Sequence, residues 1–183
     1  QRIFYLGNFI KDQFKLFWKD NNIVQTGYRR IDHFLEDLNK EKIETNKSKI
    51  DHKYFFNQNI KKINLLITFP AFDSSIRDFK DYYRNSQEML SFISDYTHQF
   101  NDLINIIIRP KRQITKEFLK LVDNLKHNII VCDDFDILTP ELILWSDLVI
   151  ASNGSGVISE CAILRKKVIS FDYLGFLKPQ WTE

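Results

Sequence analysis

Five short apolar runs, interleaved with longer segments, constrain the fold of the chain from residue 63 onward. They are rich in Ile and Val and show little strict alternation with polar residues. They lie at residues 63–69, 104–108, 129–131, 148–151 and 168–171. Strands have this pattern when both of their faces are buried, as in a parallel sheet covered by helices.

The segments between these runs have the periodicity of amphipathic helices. The apolar positions predicted to share one helix face are Met89, Ile93, Tyr96 and Phe100 in the first segment, Phe118, Leu119, Val122 and Leu125 in the second, and Val157, Ile158, Cys161 and Ala162 in the last. A short helix over 139–146 is expected to begin with Thr139 as N-cap and Pro140 at the first helical position. Alternating strands and helices predict the α/β class, with a doubly wound parallel sheet resembling a Rossmann domain.

The first 62 residues have a different character. Candidate strands at 2–6 and 23–25 flank a candidate helix at 11–19, and a stretch dense in Lys, Asn, Glu and Asp follows. Little apolar periodicity in that stretch predicts a charged, partly mobile linker. The predicted divisions are 1–35 for the tail of another domain, 36–62 for the linker and 63–183 for the α/β domain.

Composition excludes several classes of protein. The chain has 26 basic and 24 acidic residues, a net charge of +2, which is too balanced for a dedicated nucleic-acid binder. Its longest apolar runs are too short to cross a bilayer. Cys132 and Cys161 lack metal-like spacing and are expected to be buried free thiols in a reducing, cytoplasmic compartment. Asp133, Asp134 and Asp136 are more typical of a turn cap than of a metal site, and we expect no metal or cofactor.

Candidate binding residues follow the strands, because open α/β sheets bind ligands outside the carboxyl ends of their strands. After the fourth run come Gly154, Ser155 and Gly156, which open the next helix. Glycines allow close backbone approach, and a helix N-terminus attracts phosphate. The alternative is a plain strand-to-helix turn with Ser155 as N-cap, and local composition leaves both interpretations open.

Glu160 lies about one turn into that helix. A carboxylate accepts hydrogen bonds from a vicinal diol, as acidic residues do with ribose in dinucleotide-binding folds. The alternative is a solvated glutamate that favours the helix dipole. We expect the side chain to be partly buried.

Two further clusters follow the first and second runs. Ser74, Ser75 and Arg77 are placed to meet a diphosphate, and Arg109 and Lys111 are placed to attract one. The alternatives are a helix cap with a surface arginine in the first cluster and a solvated charge run in the second.

Two stretches resemble GT-B glycosyltransferases of bacterial surface-carbohydrate biosynthesis. Residues 23–32 (Ile-Val-Gln-Thr-Gly-Tyr-Arg-Arg-Ile-Asp) resemble the passage before the interdomain linker of those enzymes. Residues 146–171, which include Gly154-Ser155-Gly156 and Glu160, resemble the signature of their carboxyl-terminal domain. UDP-N-acetylglucosamine 2-epimerases share that signature.

The resemblance implies a nucleotide-sugar donor of the UDP or CMP type. Glu160 matches the residue that binds the donor ribose, and Ser155 and Gly156 match the turn facing the diphosphate or the base. The segment from Phe135 to Ile137 matches the backbone that contacts the base edge. Ser74 and Ser75 match, loosely, a turn that approaches the phosphates.

The chain departs from this family at several positions. Arg109-Pro110-Lys111-Arg112 stands where many relatives have Arg-Pro-His-Pro, and residues 164–167 lack the usual glycine. The resemblance implies that most of the acceptor-binding domain, which usually carries the general base, lies outside these residues. The resemblance implies that a saccharide or lipid-linked acceptor binds through that domain, at the inner face of the membrane, in polysaccharide or glycoconjugate synthesis. A sugar-nucleotide 2-epimerase and a non-catalytic nucleotide-sugar-binding module remain as alternatives.

Overall fold

A computed structural model of the chain falls into two compact units, Gln1–Asn39 and Lys40–Glu183. In the first unit, β1 (Ile3–Tyr5) and β2 (Ile23–Gln25) pair in parallel, which confirms both predicted strands. The predicted helix at 11–19 lies outside the described residues. The structure describes residues 3–5, 23–25, 35, 40–55, 62–69, 79–100, 103–111, 114–123, 125, 129–134, 136–152 and 155–172.

The second unit contains a five-stranded sheet whose strands are all parallel, with the spatial order β5-β4-β3-β6-β7. The strands are β3 (Ile63–Phe69), β4 (Ile104–Pro110), β5 (Ile129–Val131), β6 (Leu148–Ser152) and β7 (Lys167–Phe171). The helices are α1 (Lys40–Tyr54), α2 (Phe79–His98), α3 (Lys116–Asp123), α4 (Thr139–Trp145) and α5 (Gly156–Ile163). The doubly wound parallel sheet predicted from the five apolar runs is confirmed.

The path of the chain through this sheet creates a switch point. From the central β3 the chain moves outward to β4 and β5, then returns through α4 to β6 on the other side of β3. The direction of winding therefore reverses between β3 and β6. Ligands of doubly wound sheets bind outside the carboxyl ends of the two strands that flank such a reversal.

The buried face of α2 differs from the predicted one. Met89 and Ile93 are buried as expected, but Tyr96 and Phe100, predicted on the same face, are 58% and 39% exposed. Tyr96 stacks on the exposed ring of Phe92. Ser86 and Thr97 occupy the core-facing side, and each hydroxyl donates to the carbonyl four residues earlier, at 2.7 Å. Because these hydroxyls are satisfied within the helix, small polar residues replace apolar ones in the core.

The start of α4 lies one residue from the predicted position. Leu138, not Thr139, is the N-cap, and its backbone N–H donates to Oε2 of Glu141 at 2.7 Å. Pro140 remains in the first turn, where a missing N–H costs nothing. A glutamate three residues into the helix thus replaces the hydroxyl cap that Thr139 was expected to supply.

The predicted linker contains a regular helix, α1, which packs against α4. Ile50 is only 1% exposed, and Phe55 stacks on Trp145 at 5.6 Å between ring centroids. Trp145 Nε1 donates to Oδ1 of Asp51 at 2.7 Å. Residues 40–55 therefore belong to the sheet-containing unit. The assignment of residues 1–35 to an acceptor-side domain stays a prediction.

We expect Ile50→Ala to lower the free energy of unfolding by about 2–5 kcal/mol, because it leaves a cavity at a buried position of α1. Urea denaturation gives this value from the shift in midpoint at constant m-value. Lys49→Ala, one position away on the exposed side of the same helix, is the matched control and should change stability by less than about 0.5 kcal/mol. Equal effects of the two substitutions would show that α1 is not part of the folded core.

Candidate functional site

The β6–α5 turn lies at the switch point of the sheet. Ser155 is the N-cap of α5, with φ −71° and ψ 139°, and its hydroxyl oxygen accepts a hydrogen bond from the Val157 N–H at 3.3 Å. The capping role considered for Ser155 is thus present. Since a hydroxyl that accepts one bond can still donate another, capping and ligand binding are compatible at this residue. Gly156 begins the helix, and Gly154 lies outside the described residues.

Glu160 is completely buried on α5, at 0% exposure. The expectation that it would be partly buried is wrong, and so is the alternative of a solvated first-turn charge. The neighbouring Cys161 is buried as well. Its burial and, to a smaller extent, the negative charge of Glu160 raise the pKa of the Cys161 thiol to about 11. A carboxylate removed from water is costly unless hydrogen bonds compensate for the loss of solvation. Glu160 is therefore a desolvated acceptor close to the switch point.

Arg109 ends up in a different setting from the diphosphate contact expected of it. Its side chain is buried, and its guanidinium donates to backbone carbonyls of the segment after β5. Nη1 donates to the carbonyls of Cys132 at 3.1 Å and Asp134 at 2.6 Å, and Nη2 donates to the carbonyl of Ile137 at 3.2 Å. The guanidinium also lies 3.3 Å from the Cys132 sulfur.

Lys111, two residues further along, is exposed, unlike Arg109. Its backbone N–H donates to the carbonyl of Phe69 at 3.1 Å, which ties together the chain ends of β3 and β4. A cation at this edge of the sheet therefore remains accessible to an anionic ligand.

Residues 132–134, 136 and 137, which follow β5, form a closely held turn that we call the β5 turn. Asp134 Oδ1 accepts from the Asp136 N–H at 2.9 Å, which confirms the predicted turn-capping role for Asp134. The Ile137 side chain is buried, and its N–H donates to the Asp134 carbonyl at 3.4 Å. The predicted contact between the Ile137 backbone and a nucleobase therefore competes with bonds inside the turn.

Two side chains of α1 hold the β5 turn from another direction, and sequence reasoning missed both of them. Lys53 forms an ion pair with Asp134, and the Tyr54 hydroxyl lies 3.3 Å from the Cys132 sulfur. The hydrogen bond between Lys53 and Asp134 raises the pKa of Lys53 and lowers the pKa of Asp134. Burial, reinforced by the contact with Cys132, raises the pKa of Tyr54. No sequence signal links these partners, which are 78 and 81 positions apart.

Several predicted site residues, namely Ser74, Ser75, Arg77 and Phe135, lie outside the described residues, as Gly154 does. Cys132 and Cys161 are both free and buried, as predicted. Within the described ranges, no cluster of three His, Cys, Asp or Glu side chains is arranged to hold a metal ion. Across the same residues, no helix combines the length and apolar character needed to span a bilayer.

No protein-family model and no curated protein sequence matches the chain. Solved structures do match it. A variant of the wall teichoic acid polymerase TagF aligns with a TM-score of 0.61 at 16% identity, over 93% of this chain and 39% of that one. The same variant soaked with CDPG gives 0.60 at 17% identity, over 93% of this chain and 37% of that one.

A third match is the UDP-GlcNAc 2-epimerase from Neisseria meningitidis bound to UDP-GlcNAc. It aligns with a TM-score of 0.62 at 19% identity, over 87% of this chain and 41% of that one. The chain thus spans less than half the length of each of these solved structures. At such low identity the similarity establishes the fold alone. The chain has the Rossmann-like α/β fold of GT-B proteins, as the resemblance in its sequence implied.

Proposed function

We propose that the second unit is the nucleotide-sugar-binding domain of a GT-B glycosyltransferase, with a donor of the UDP or CMP type. The observation that carries the proposal is the buried carboxylate of Glu160, which lies behind the capped N-terminus of α5 at the switch point of the sheet. The two kinds of similar structure, one soaked with CDPG and the other holding UDP-GlcNAc, support a nucleotide-sugar ligand for this fold.

The proposed ligand contacts follow from charge and geometry at α5. The N-terminus of a helix carries a partial positive charge and favours a diphosphate. Helical side chains lean toward the N-terminus of their helix, so Glu160 leans toward such a diphosphate and the adjoining ribose. In a desolvated setting, hydrogen bonds from ribose hydroxyls to a carboxylate are stronger than in water. Because Glu160 is fully buried, binding requires the residues that cover it to move.

Sugar transfer requires stabilisation of the departing nucleotide diphosphate. The proposed sources of positive charge are the N-terminus of α5, the side chain of Arg77 and the exposed side chain of Lys111. The proposal includes no metal ion. Arg109, which was expected to join them, has its guanidinium directed at backbone carbonyls of the β5 turn instead. The electrostatic contribution proposed for β4 therefore rests on Lys111.

The acceptor side of the reaction belongs to the proposal as well. The similar structures are more than twice as long as the portion aligned with this chain. In a whole enzyme, a second domain would bind a saccharide or lipid-linked acceptor and carry the general base. We place such an enzyme in the cytoplasm, at the inner face of the membrane, in surface-polysaccharide or glycoconjugate synthesis.

A sugar-nucleotide 2-epimerase is the second candidate function, and the match to the Neisseria meningitidis enzyme favours it. An epimerase returns a nucleotide sugar inverted at C2, whereas a transferase gives a free nucleotide and a glycosylated acceptor. Of the residues expected to work in an epimerase cleft, the described part of the second unit offers Glu160 and few other charged groups near the switch point. We therefore favour the transferase.

We expect Glu160→Gln to weaken the binding of UDP or CMP about tenfold, because a neutral amide replaces a charged acceptor of hydrogen bonds. Since Glu160 is buried, the isosteric glutamine tests the ribose contact with less disturbance of packing than alanine would. Isothermal titration calorimetry measures the affinities. The 2′,3′-dideoxy nucleotides should bind the unmodified chain about as weakly as the natural nucleotides bind the variant.

Glu117→Gln is the matched control, since Glu117 is an exposed glutamate in the first turn of α3. It removes the same charge while leaving nucleotide affinity unchanged. If Glu160→Gln binds UDP and CMP as tightly as the unmodified chain, Glu160 does not contact the ribose and the proposal loses its central residue.

The 183-residue chain is expected to bind a nucleotide sugar without turning it over, because the acceptor site and the base are proposed to lie in another domain. Incubation with UDP- and CMP-sugars, followed by chromatography for free nucleotide and by NMR for a C2 epimer, tests this. Transfer or hydrolysis by the chain alone would contradict the division of labour proposed here. Formation of a C2 epimer would favour the second candidate.

A further inference from the structure

We propose that Arg109 is a positioning residue which sets the chain's preference for one nucleobase over another by holding the β5 turn in shape. This inference rests on the proposed function, because it assumes that a nucleotide binds with its base beside that turn. It assigns Arg109 a role different from the diphosphate contact expected from its sequence position.

The first support is the way the guanidinium is used. Three carbonyls of the β5 turn, from Cys132, Asp134 and Ile137, accept hydrogen bonds from one buried side chain. A planar guanidinium with donors in fixed directions fixes the relative positions of such acceptors, which a point charge does not. The conformation of the β5 turn therefore depends on Arg109, which lies near the end of the neighbouring strand β4.

The second support is the location of the turn. It follows β5 at the carboxyl edge of the sheet, the same edge as the switch point and α5. The Ile108 carbonyl accepts from the Cys132 N–H at 2.9 Å, which places the beginning of the turn beside the end of β4. A nucleotide with its ribose near Glu160 and its base directed toward β5 would lie against this turn.

The third support is that α1 holds the same turn independently of Arg109. The Lys53 ion pair fixes the Asp134 side chain, whose other oxygen caps the turn at Asp136. Tyr54 approaches the Cys132 sulfur, which Arg109 also contacts. Two separate elements of the fold, β4 through Arg109 and α1 through Lys53 and Tyr54, thus restrain this one turn.

The test compares affinities for UDP, CDP, ADP and inorganic pyrophosphate by calorimetry on the full 183-residue chain. The unmodified chain should prefer a pyrimidine diphosphate to ADP. Arg109→Lys keeps the positive charge but loses the planar set of donors. It should reduce that preference about tenfold, the effect of losing about one charge-assisted hydrogen bond, and leave pyrophosphate affinity within about twofold.

Lys111→Met is the matched control because it removes an exposed cation at the same strand end. It should weaken pyrophosphate, UDP and ADP by a similar factor and leave the preference among bases intact. If Arg109→Lys behaves in that way too, Arg109 acts on the phosphates and the positioning role is overturned. Hydrogen exchange provides a ligand-free measurement, in which Arg109→Lys should speed exchange in residues 132–137 more than in α5.

Lys53→Met and Tyr54→Phe keep the inference testable if Arg109→Lys fails to fold, as judged by circular dichroism. Each removes one restraint from the α1 side and should lower the base preference by about twofold, in line with the weak coupling of a single exposed or partly exposed contact. An unchanged preference in both variants would overturn the inference. If the unmodified chain binds none of the four probes, the proposed function and this inference both fail. Nucleotide binding with no role for Arg109 sinks the inference alone.

Discussion

β3 is hydrogen-bonded on both edges, to β4 from Ile63 to Phe69 and to β6 from Leu65 to Thr68. Residues Leu65 to Phe69 are buried, and every other strand of the sheet takes its position directly or indirectly from this one. The sheet continues in opposite directions from these two neighbours, to β5 from β4 and to β7 from β6. The central position of β3 therefore places the start of α5, Lys111 and the β5 turn at one edge of the sheet, where its parallel strands end.

The buried Arg109 and the half-buried Lys166 donate to backbone carbonyls near opposite ends of the strands. Arg109 closes the β5 turn at the carboxyl edge, and Lys166 does the equivalent for the last turn of α4, donating to the carbonyls of Leu144 and Ser146 at 2.7 Å each. Burial lowers the pKa of Lys166, yet carbonyl oxygens at a helix C-terminus favour a positive charge. In both places the side-chain cation donates hydrogen bonds to backbone carbonyl oxygens.

The sheet was predictable from the sequence because runs buried on both faces leave a local signature. Residues 63–69 and 129–131 form strands over the same bounds as the apolar runs. The α2 face was not predictable from apolar spacing, because Ser86 and Thr97 face the core and satisfy their hydroxyls within the helix. The sequence identified Glu160 as a candidate binding residue but did not predict its complete burial, which depends on neighbouring elements of the fold. The partners of Arg109 depend on side-chain direction, and spacing carries no information about that.

The docking of α1 on α4 changes what counts as a transferable module. Asp51 and Phe55 come before the first strand of the large sheet, yet both contact Trp145 at the end of α4. A recombination event or a designed chimera joined at residue 63 would leave an indole and its neighbours uncovered and would separate Lys53 and Tyr54 from the β5 turn. A junction before residue 40 would carry the intact module. Helix α1, whose composition resembles that of a linker, therefore has to be transferred together with the sheet.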